Sequence, residues 1–123
     1  MLQTNGYMAA ARSTGMPRDI EYKVFSKVTG QLKLRAAEVT DFPLLLEALN
    51  DNLGLWRTIA FDVMDAKNGL PDQLRAQLFY LFEFTQAHTT KVMRREASVD
   101  PLIEINTAIM RGLRKHVDGK EHI

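Results

Sequence analysis

The segment from Asp100 to Leu113 constrains the fold more than any other part of the sequence. At about 100° per residue, its apolar side chains and Val117 form one stripe of a helix. They are Leu102, Ile109, Met110, Leu113 and Val117. Asn106 lies in the middle of this stripe, where an amide without a hydrogen-bond partner costs about 1–3 kcal/mol. The segment therefore predicts a packed helix whose Asn106 either sets the register between helices or marks a docking site for another chain.

The composition indicates one ordinary globular domain. The sequence has 123 residues, of which 46% are hydrophobic and 25% charged, and a chain of this length can bury a single core. A net charge of +1 lacks the broad positive potential that nucleic-acid binding usually needs. The absence of cysteine excludes disulfides and thiolate metal sites and fits a reducing cytoplasm.

No apolar run approaches the roughly 18–20 residues of a membrane span. Residues 1–16 lack the basic and apolar regions of a secretory signal. We therefore expect a cytoplasmic protein without membrane insertion.

Helix signals recur along the chain, whereas strand signals are nearly absent. Pro17, Pro43, Pro71 and Pro101 each suit the first turn of a helix, where a missing N–H costs nothing. Asn68-Gly69 is predicted to end the second helix, after about Ala66, because glycine adopts the left-handed conformation of a helix cap. The sequence predicts an all-α fold, a small bundle of about four helices. The predicted organisation has three parts: a mobile N-terminal tail over residues 1–16, one helical domain over 17–117 and a frayed end over 118–123.

The other three predicted helices also carry apolar stripes. In the second, Asn52 lies at the centre of the stripe, one turn before Trp56. We predict a structural polar core in which Asn52 and Asn106 bond to each other or to the Trp56 N–H. The stripes comprise Val24, Phe25, Val28, Leu32, Ala36 and Val39, then Leu45, Ala48, Leu49, Trp56, Ile59, Ala60 and Val63, then Leu74, Leu78, Leu81, Phe82, Thr89 and Val92.

Signals for catalysis or metal binding are weak. Asp62 and Asp65 are close enough on a helix for acid–base work, but both are predicted on or beside its polar face, where solvated charges are the rule. The three histidines, His88, His116 and His122, lack metal-ligand spacing. Phosphate loops and nucleophile motifs are also missing from the sequence. We expect no catalytic residue, no metal and no cofactor.

A protein-binding surface has better support. Phe61 lies on the otherwise polar side of the second helix, and Phe79 and Phe84 leave the main stripe of the third. Aromatic, methionine and arginine side chains together are typical of protein interfaces. The alternative is a wide core, in which a central helix buries Phe79 and Phe84. The predicted contact residues are Phe61, Met64, Phe79 and Phe84 as anchors, with Arg57 and Arg75 as polar groups that orient the partner.

A basic cluster from Arg111 to Lys120, with Arg94 and Arg95, raises the alternative of RNA contact. Positive charge at a helix C-terminus is also what the helix dipole favours. RNA recognition usually adds exposed aromatic side chains, and none adjoin this cluster in the sequence. Direct nucleic-acid binding is therefore the less favoured interpretation.

Several short motifs follow one another in a consistent order between Tyr7 and Leu113. They are Pro17-Arg18-x-x-Glu21-Tyr22-x-x-Phe25, Ala48-Leu49-x-x-Asn52-x-x-Leu55-Trp56, Asn68-x-Leu70-Pro71-x-x-Leu74-Arg75-Ala76-Gln77, Val92-Met93, Pro101-Leu102-Ile103-Glu104-Ile105-Asn106 and Ile109-Met110-x-Gly112-Leu113. Together their order and spacing resemble the FlaF family, flagellar biosynthesis factors of alphaproteobacteria. This chain departs from the family pattern at Leu53-Gly54, where a polar residue usually precedes the Leu-Trp pair, and in its aromatic run from Phe79 to Phe84.

The resemblance implies a small, non-enzymatic, cytoplasmic helical protein that promotes flagellin synthesis and export. One mechanism implied for such a protein is a secretion chaperone that binds flagellin. A second is post-transcriptional regulation of flagellin, with the regulator FlbT or on the flagellin mRNA. A third alternative is a helical scaffold or dimerisation module that forms a homo-oligomer.

Overall fold

In the computed structural model, the described residues, 18–38 and 41–121, form four α-helices. They are α1 (Arg18–Ala37), α2 (Phe42–Met64), α3 (Asp72–Met93) and α4 (Asp100–Glu121). Side chains are described for residues 22–38 and 41–112. The prediction of an all-α bundle of four helices is confirmed. Residues 1–16, Pro17 and Val39 lie outside the described part, and the tail and the frayed end stay predictions.

The ends of α2 are set by local hydrogen bonds. The Leu44 N–H donates to Asp41 Oδ1 at 3.3 Å, as expected of a capping carboxylate followed by a first-turn proline. The prediction that Gly69 caps this helix is wrong, because α2 already ends at Met64. The Asp65 N–H bonds to the Asp62 carbonyl at 3.2 Å, which closes the last turn. Gly69 adopts its positive φ of 92° in the loop that follows.

The helix α3 ends in a Schellman motif without a glycine. The Arg95 N–H bonds to the Val92 carbonyl and the Glu96 N–H to the Lys91 carbonyl, both at 2.9 Å. These bonds place Arg95 at the left-handed position, with φ of 62°, which usually favours glycine. The Arg95 guanidinium lies 4.1 Å from the centre of the Phe42 ring, and this cation–π contact offsets part of the backbone strain.

The four helices pack as a ring in chain order. The described parts of α1 and α2, of α2 and α3, and of α1 and α4 pack extensively, whereas α3 and α4 touch over a much smaller surface. The ring therefore has one weakly packed edge, between α3 and α4.

The core consists of two apolar clusters at opposite ends of the bundle. In the first, the Phe25 ring meets the Trp56 ring edge-on, with centroids 5.7 Å apart and an interplanar angle of 77°. Each large apolar side chain that is fully buried contributes about 1.5–3 kcal/mol. The Trp56 cluster contains Phe25, Leu55, Trp56, Ile59, Val63 and Leu78. The Leu102 cluster contains Leu32, Ala48, Leu49, Val92, Val99 and Leu102.

No helix in the described ranges is both long enough and apolar enough to cross a lipid bilayer. Most of the predicted stripes are buried as expected, but Leu74 in the first turn of α3 remains 38% exposed.

Candidate partner-binding surface

Large apolar side chains are exposed where α2 ends. Phe61 is 77% exposed and Met64 is 64% exposed. The two residues are three apart on the same helix, so they are neighbours on one face. This face lies outside the Trp56 cluster, and the described part of the chain leaves both side chains largely open to solvent.

A surface pocket with a volume of about 370 Å³ adjoins this face, between the end of α2 and the start of α3. Pockets of about 300–1,000 Å³ accommodate small ligands, so this one can take an anchoring side chain of a partner. The pocket brings together three of the predicted contact residues, Met64, Arg75 and Phe79. Its complete lining is Val63, Met64, Asp72, Arg75, Ala76 and Phe79.

Arg75 is held rigidly in the wall of this pocket. Its Nε donates to the Val63 carbonyl at 2.8 Å and its Nη2 donates to the Asp65 carbonyl at 3.0 Å. A third bond joins its Nη1 to Asp72 at 3.3 Å. The first two bonds satisfy carbonyl groups at the C-terminus of α2, where the helix dipole favours a cation. Arg75 therefore fastens α2 to α3 and fixes the shape of the pocket.

Arg57 differs from Arg75, because it is exposed and lies one turn before Phe61 on α2. Within the described part of the chain, no hydrogen bond or ion pair engages its guanidinium. A free guanidinium beside exposed apolar side chains is available to pair with a carboxylate of a partner.

Phe79 belongs both to the pocket and to the core. It is half-buried and packs against the Trp56 cluster. Its ring lies 5.7 Å from the ring of Phe82. The structure thus combines the two interpretations of this residue, since one part of the ring fills the core and another lines the pocket wall.

Phe84 lies apart from the other predicted contact residues. It follows Phe79 by five residues, which at about 100° per residue turns it roughly 140° around α3. Its ring stacks on His88 with centroids 5.4 Å apart, and it is 37% exposed. His88 Nε2 lies 2.7 Å from the Ser98 carbonyl, so Phe84 faces the connection to α4. The predicted anchors therefore do not form one continuous surface.

Sequence reasoning did not single out Tyr80, which is 64% exposed. It lies four residues after Ala76, a residue of the pocket lining, so both are on one side of α3. The aromatic run from Phe79 to Phe84 could have indicated an exposed aromatic side chain, because one buried stripe of a helix cannot include all of its residues. Tyrosine is enriched at protein interfaces, and Tyr80 extends the candidate surface beyond the pocket.

Asn52, Trp56 and Asn106 form a chain of hydrogen bonds inside the bundle. Trp56 Nε1 donates to Asn106 Oδ1 at 3.0 Å, and Asn106 Nδ2 donates to Asn52 Oδ1 at 2.7 Å. All three side chains are completely buried, at 0% exposure. The bonds join α2 to α4 through the middle of the bundle, so these residues position helices rather than line a surface site.

The prediction that Asp62 lies on or beside a polar surface is wrong, since Asp62 is only 5% exposed. The loop after α2 folds back so that Asn68 Nδ2 donates to Asp62 Oδ2 at 2.8 Å. Asn68 Oδ1 accepts a bond from the Leu70 N–H at 3.0 Å, which fixes the loop. This carboxylate is thus part of the loop's structure. Among the described residues, no group of metal-ligating side chains is large enough to hold a metal ion.

A second pocket, with a volume of about 440 Å³, lies at the opposite end of the bundle. Three of its four charged lining residues, Arg35, Glu38 and Arg95, already have partners in the described part of the chain. Arg35 pairs with Glu38 at 2.8 Å, and the Arg95 guanidinium covers the Phe42 ring. The smaller pocket is the better candidate site, because the exposed Met64 lines it, and Phe61 and the unpaired Arg57 lie about one and two turns before Met64 on α2.

Comparison with known proteins assigns the chain to a family. The family model described as flagellar protein FlaF matches residues 3–113. No curated protein and no solved structure matches the chain. The match covers nearly the whole sequence, including α2, α3 and the candidate surface. The chain therefore belongs to the FlaF family of flagellar proteins.

Proposed function

We propose that this flagellar protein binds flagellin through the surface around Phe61, Met64 and the adjoining pocket, and acts as a secretion chaperone for it. The observation that carries the proposal is the exposure of Phe61 and Met64, at 77% and 64%, beside a preformed pocket. A chaperone that acts before export works in the cytoplasm, and it needs neither a catalytic residue nor a cofactor.

The chemistry of the surface fits an amphipathic helix. Flagellin's terminal segments are amphipathic and need a groove until export. Such helices bind by placing apolar side chains at spacings of three and four residues into a groove. In this arrangement one anchor of flagellin enters the pocket beside Met64, and the neighbouring anchors pack on Phe61 and Tyr80.

The two arginines have different tasks in this proposal. Arg75 keeps the pocket wall in place, because its guanidinium is already bonded to the end of α2. Arg57 is available to pair with an acidic residue on the polar side of the flagellin helix. A pair at the rim of an interface contributes more to orientation and association rate than to affinity.

Calorimetric titration of the protein with its cognate monomeric flagellin tests this proposal. Saturable binding with a negative heat-capacity change is expected, because apolar surface is buried. Changing Phe61 and Met64 together to serine should weaken binding by at least about tenfold, since burying each side chain is worth about 1.5–3 kcal/mol.

Leu34→Ser is the matched control, because Leu34 is 48% exposed on α1, away from the pocket. It should leave the affinity nearly unchanged. Both variants should keep the helical circular dichroism of the parent. A wild-type protein that does not bind flagellin, or equal losses in the two variants, would refute the proposed surface.

The regulatory and scaffold alternatives predict different partners for the same measurements. If flagellin gives no heat but FlbT or the flagellin transcript binds, the protein acts in post-transcriptional regulation. If sedimentation shows a dimer that buries Phe61 and Met64, the surface is an interface between copies of this chain. The chaperone proposal instead predicts a complex between this protein and flagellin.

A further inference from the structure

Buried polar side chains from all four helices lie at one level of the bundle. In α1, α2 and α3, the polar residues fall in sequence between a member of the Trp56 cluster and a member of the Leu102 cluster, and in α4 Asn106 lies between Leu102 and Ile109, which packs against the Trp56 cluster. On α1, for example, Thr29 follows Phe25 and precedes Leu32. Every one of these side chains is at most 1% exposed. The set, which we call the polar layer, comprises Thr29, Asn52, Thr85, Thr89 and Asn106.

The polar layer has unused hydrogen-bonding capacity. The bonds from Trp56 to Asn106 and from Asn106 to Asn52 satisfy only part of it. Within the described part of the chain, four buried atoms have no hydrogen-bond partner. They are Thr29 Oγ1, Asn52 Nδ2, Thr85 Oγ1 and Thr89 Oγ1. A buried polar atom without a partner loses its hydration without compensation, so each one favours any state that gives it a partner.

Threonines elsewhere in the bundle behave differently. Thr58, Thr90 and Thr107 each donate to the backbone carbonyl one turn earlier in their own helix, at 3.0, 3.3 and 2.7 Å. This bond is the usual way in which a helical threonine satisfies its hydroxyl. Thr85 and Thr89 lack it, although both belong to the same helix as Thr90. Their hydroxyl groups are therefore available to a polar group inside the bundle.

The weakly packed edge gives access to this layer. If the bundle opens at this edge, α2 stays packed on α3 and α1 stays packed on α4, so the parts that move relative to each other are two helix pairs. The pairs are joined along α1 and α2, but they touch little along α3 and α4. The bonds of Asn106 to Asn52 and Trp56 connect one pair to the other. Separation along α3 and α4 breaks these bonds and exposes Thr85 and Thr89.

We propose that the bundle opens along the α3–α4 edge to take up one amphipathic partner helix that carries a neutral hydrogen-bonding side chain within its apolar stripe. The inference rests on the proposed function for the kind of partner, an amphipathic helix, but it assigns a different set of residues. The apolar stripe packs on the two clusters, and its neutral polar side chain, such as that of Asn or Gln, bonds to Thr85, Thr89 and the Asn52 amide.

The polar layer excludes other types of helix. A purely apolar stripe leaves the hydroxyl groups without partners. A charged side chain at this level would be buried without a counter-ion, because the polar layer contains only neutral groups. We therefore expect the polar layer to prefer a partner helix whose apolar stripe contains one neutral polar residue.

Two synthetic peptides test the proposal on the full-length protein. Both are amphipathic Leu/Lys/Glu helices of about 18 residues, or five turns. One carries Asn at the centre of its leucine stripe and the other carries Leu there. The Asn peptide should bind at least about tenfold more tightly, the effect of satisfying a buried hydrogen-bonding group.

Threonine variants identify where this preference arises. The double variant Thr85→Val/Thr89→Val keeps the side-chain shape and removes both hydroxyl groups, so it should lose the preference for the Asn peptide. The single variant Thr90→Val should keep it, because the Thr90 hydroxyl is bonded to the Gln86 carbonyl.

Trp56 provides an internal probe of opening, because it is the only tryptophan in the sequence. Its single indole N–H resonance should shift and exchange faster with solvent when the Asn peptide binds, since the bond to Asn106 breaks. Three results would overturn the proposal: no binding of either peptide, equal affinities for both, or binding without any change at the indole N–H.

The experiment also separates this proposal from the proposed function. The variant Phe61→Ser/Met64→Ser leaves the polar layer intact, so it should keep the preference for the Asn peptide. Flagellin binding that depends on Phe61 and Met64, without any peptide preference, would refute only the opening. A peptide preference without flagellin binding would refute only the chaperone surface.

Discussion

The surface at the end of α2 and the interior of the bundle depart from ordinary packing in opposite directions. At the surface, Phe61 and Met64 are large apolar side chains left in solvent. In the interior, Thr85, Thr89 and Asn52 carry polar atoms without partners. Apolar side chains are usually buried, and buried polar atoms are usually hydrogen-bonded. Both arrangements therefore make the fold less stable than it would be with ordinary packing. Under the two proposals made above, binding rather than stability accounts for each region.

The comparison also separates rigid from movable parts. The candidate surface is supported by Arg75, whose bonds join α2 to α3, so its pocket is preformed. Thr85, Thr89 and Asn106 of the polar layer lie on the two helices of the weakly packed α3–α4 edge, and in the proposed opening its unused bonds become accessible when these helices separate. Rigid support suits recognition of a partner, whereas weak packing suits a change of conformation.

The largest effect on stability is expected from Asn106→Leu. The change leaves Trp56 Nε1 and Asn52 Oδ1 buried without partners. At about 1–3 kcal/mol for each of the two unsatisfied groups, the free energy of unfolding should fall by about 2–6 kcal/mol in urea titrations. Asn50→Leu, at an exposed position on α2, should change it by less than about 0.5 kcal/mol. Similar effects in the two variants would show that the interior bonds do not hold the helix pairs together.

Substitution of the two arginines near the pocket should separate stability from binding. Arg75→Ala removes the donors to the Val63 and Asp65 carbonyls and should cost about 1–3 kcal/mol of unfolding free energy. Arg57→Ala should leave stability nearly unchanged, because its guanidinium is unpaired in the described structure. It should instead slow flagellin association, which stopped-flow measurements at low and high salt can detect. A stability loss at Arg57 that equals the loss at Arg75 would contradict this division.

Several features of the fold followed from the sequence because they depend on local spacing. Helical periodicity and first-turn prolines were sufficient for the four helices, and the mid-stripe positions of Asn52 and Asn106 placed them opposite each other. The order of short motifs was sufficient for the family. In each case the signal lies within one helix or in the spacing between successive helices.

Other features depend on contacts between residues that are distant in the sequence, so they could not be predicted from it. Asp62 is buried because Asn68, in the next loop, bonds to its carboxylate, and no periodicity reports how a loop folds back. Phe79 and Phe84 both leave the main stripe of α3, but only packing shows that one faces the pocket and the other His88. Thr85 lies on the buried face of α3 and resembles any helical threonine until the bond to the preceding turn is found missing.

A moderate gain in stability is expected when the polar layer loses its unused hydroxyl groups. The variant Thr85→Val/Thr89→Val should raise the free energy of unfolding by about 1–2 kcal/mol, because buried groups without partners are replaced by apolar groups of the same shape. Thr90→Val removes a bonded hydroxyl from a more exposed position and should change it by no more than about 0.5 kcal/mol. A net loss of stability in the double variant would mean that both hydroxyl groups are satisfied in solution.

The smallest effect, from Gly54→Ala, sharpens the comparison at the surface. Nothing lies within 4 Å of a Cβ atom built on Gly54, so alanine fits and should stabilise α2 by about 0.5–1 kcal/mol through its higher helix propensity. Gly69→Ala is the opposite control, because its φ of 92° strains any residue with a side chain.

Gly54 lies two turns before Phe61 on nearly the same side of α2, at about 100° per residue. If the flagellin helix lies along this stripe, the added methyl group should weaken binding although the protein becomes more stable. Unchanged affinity would confine the contact to Phe61, Met64 and the pocket.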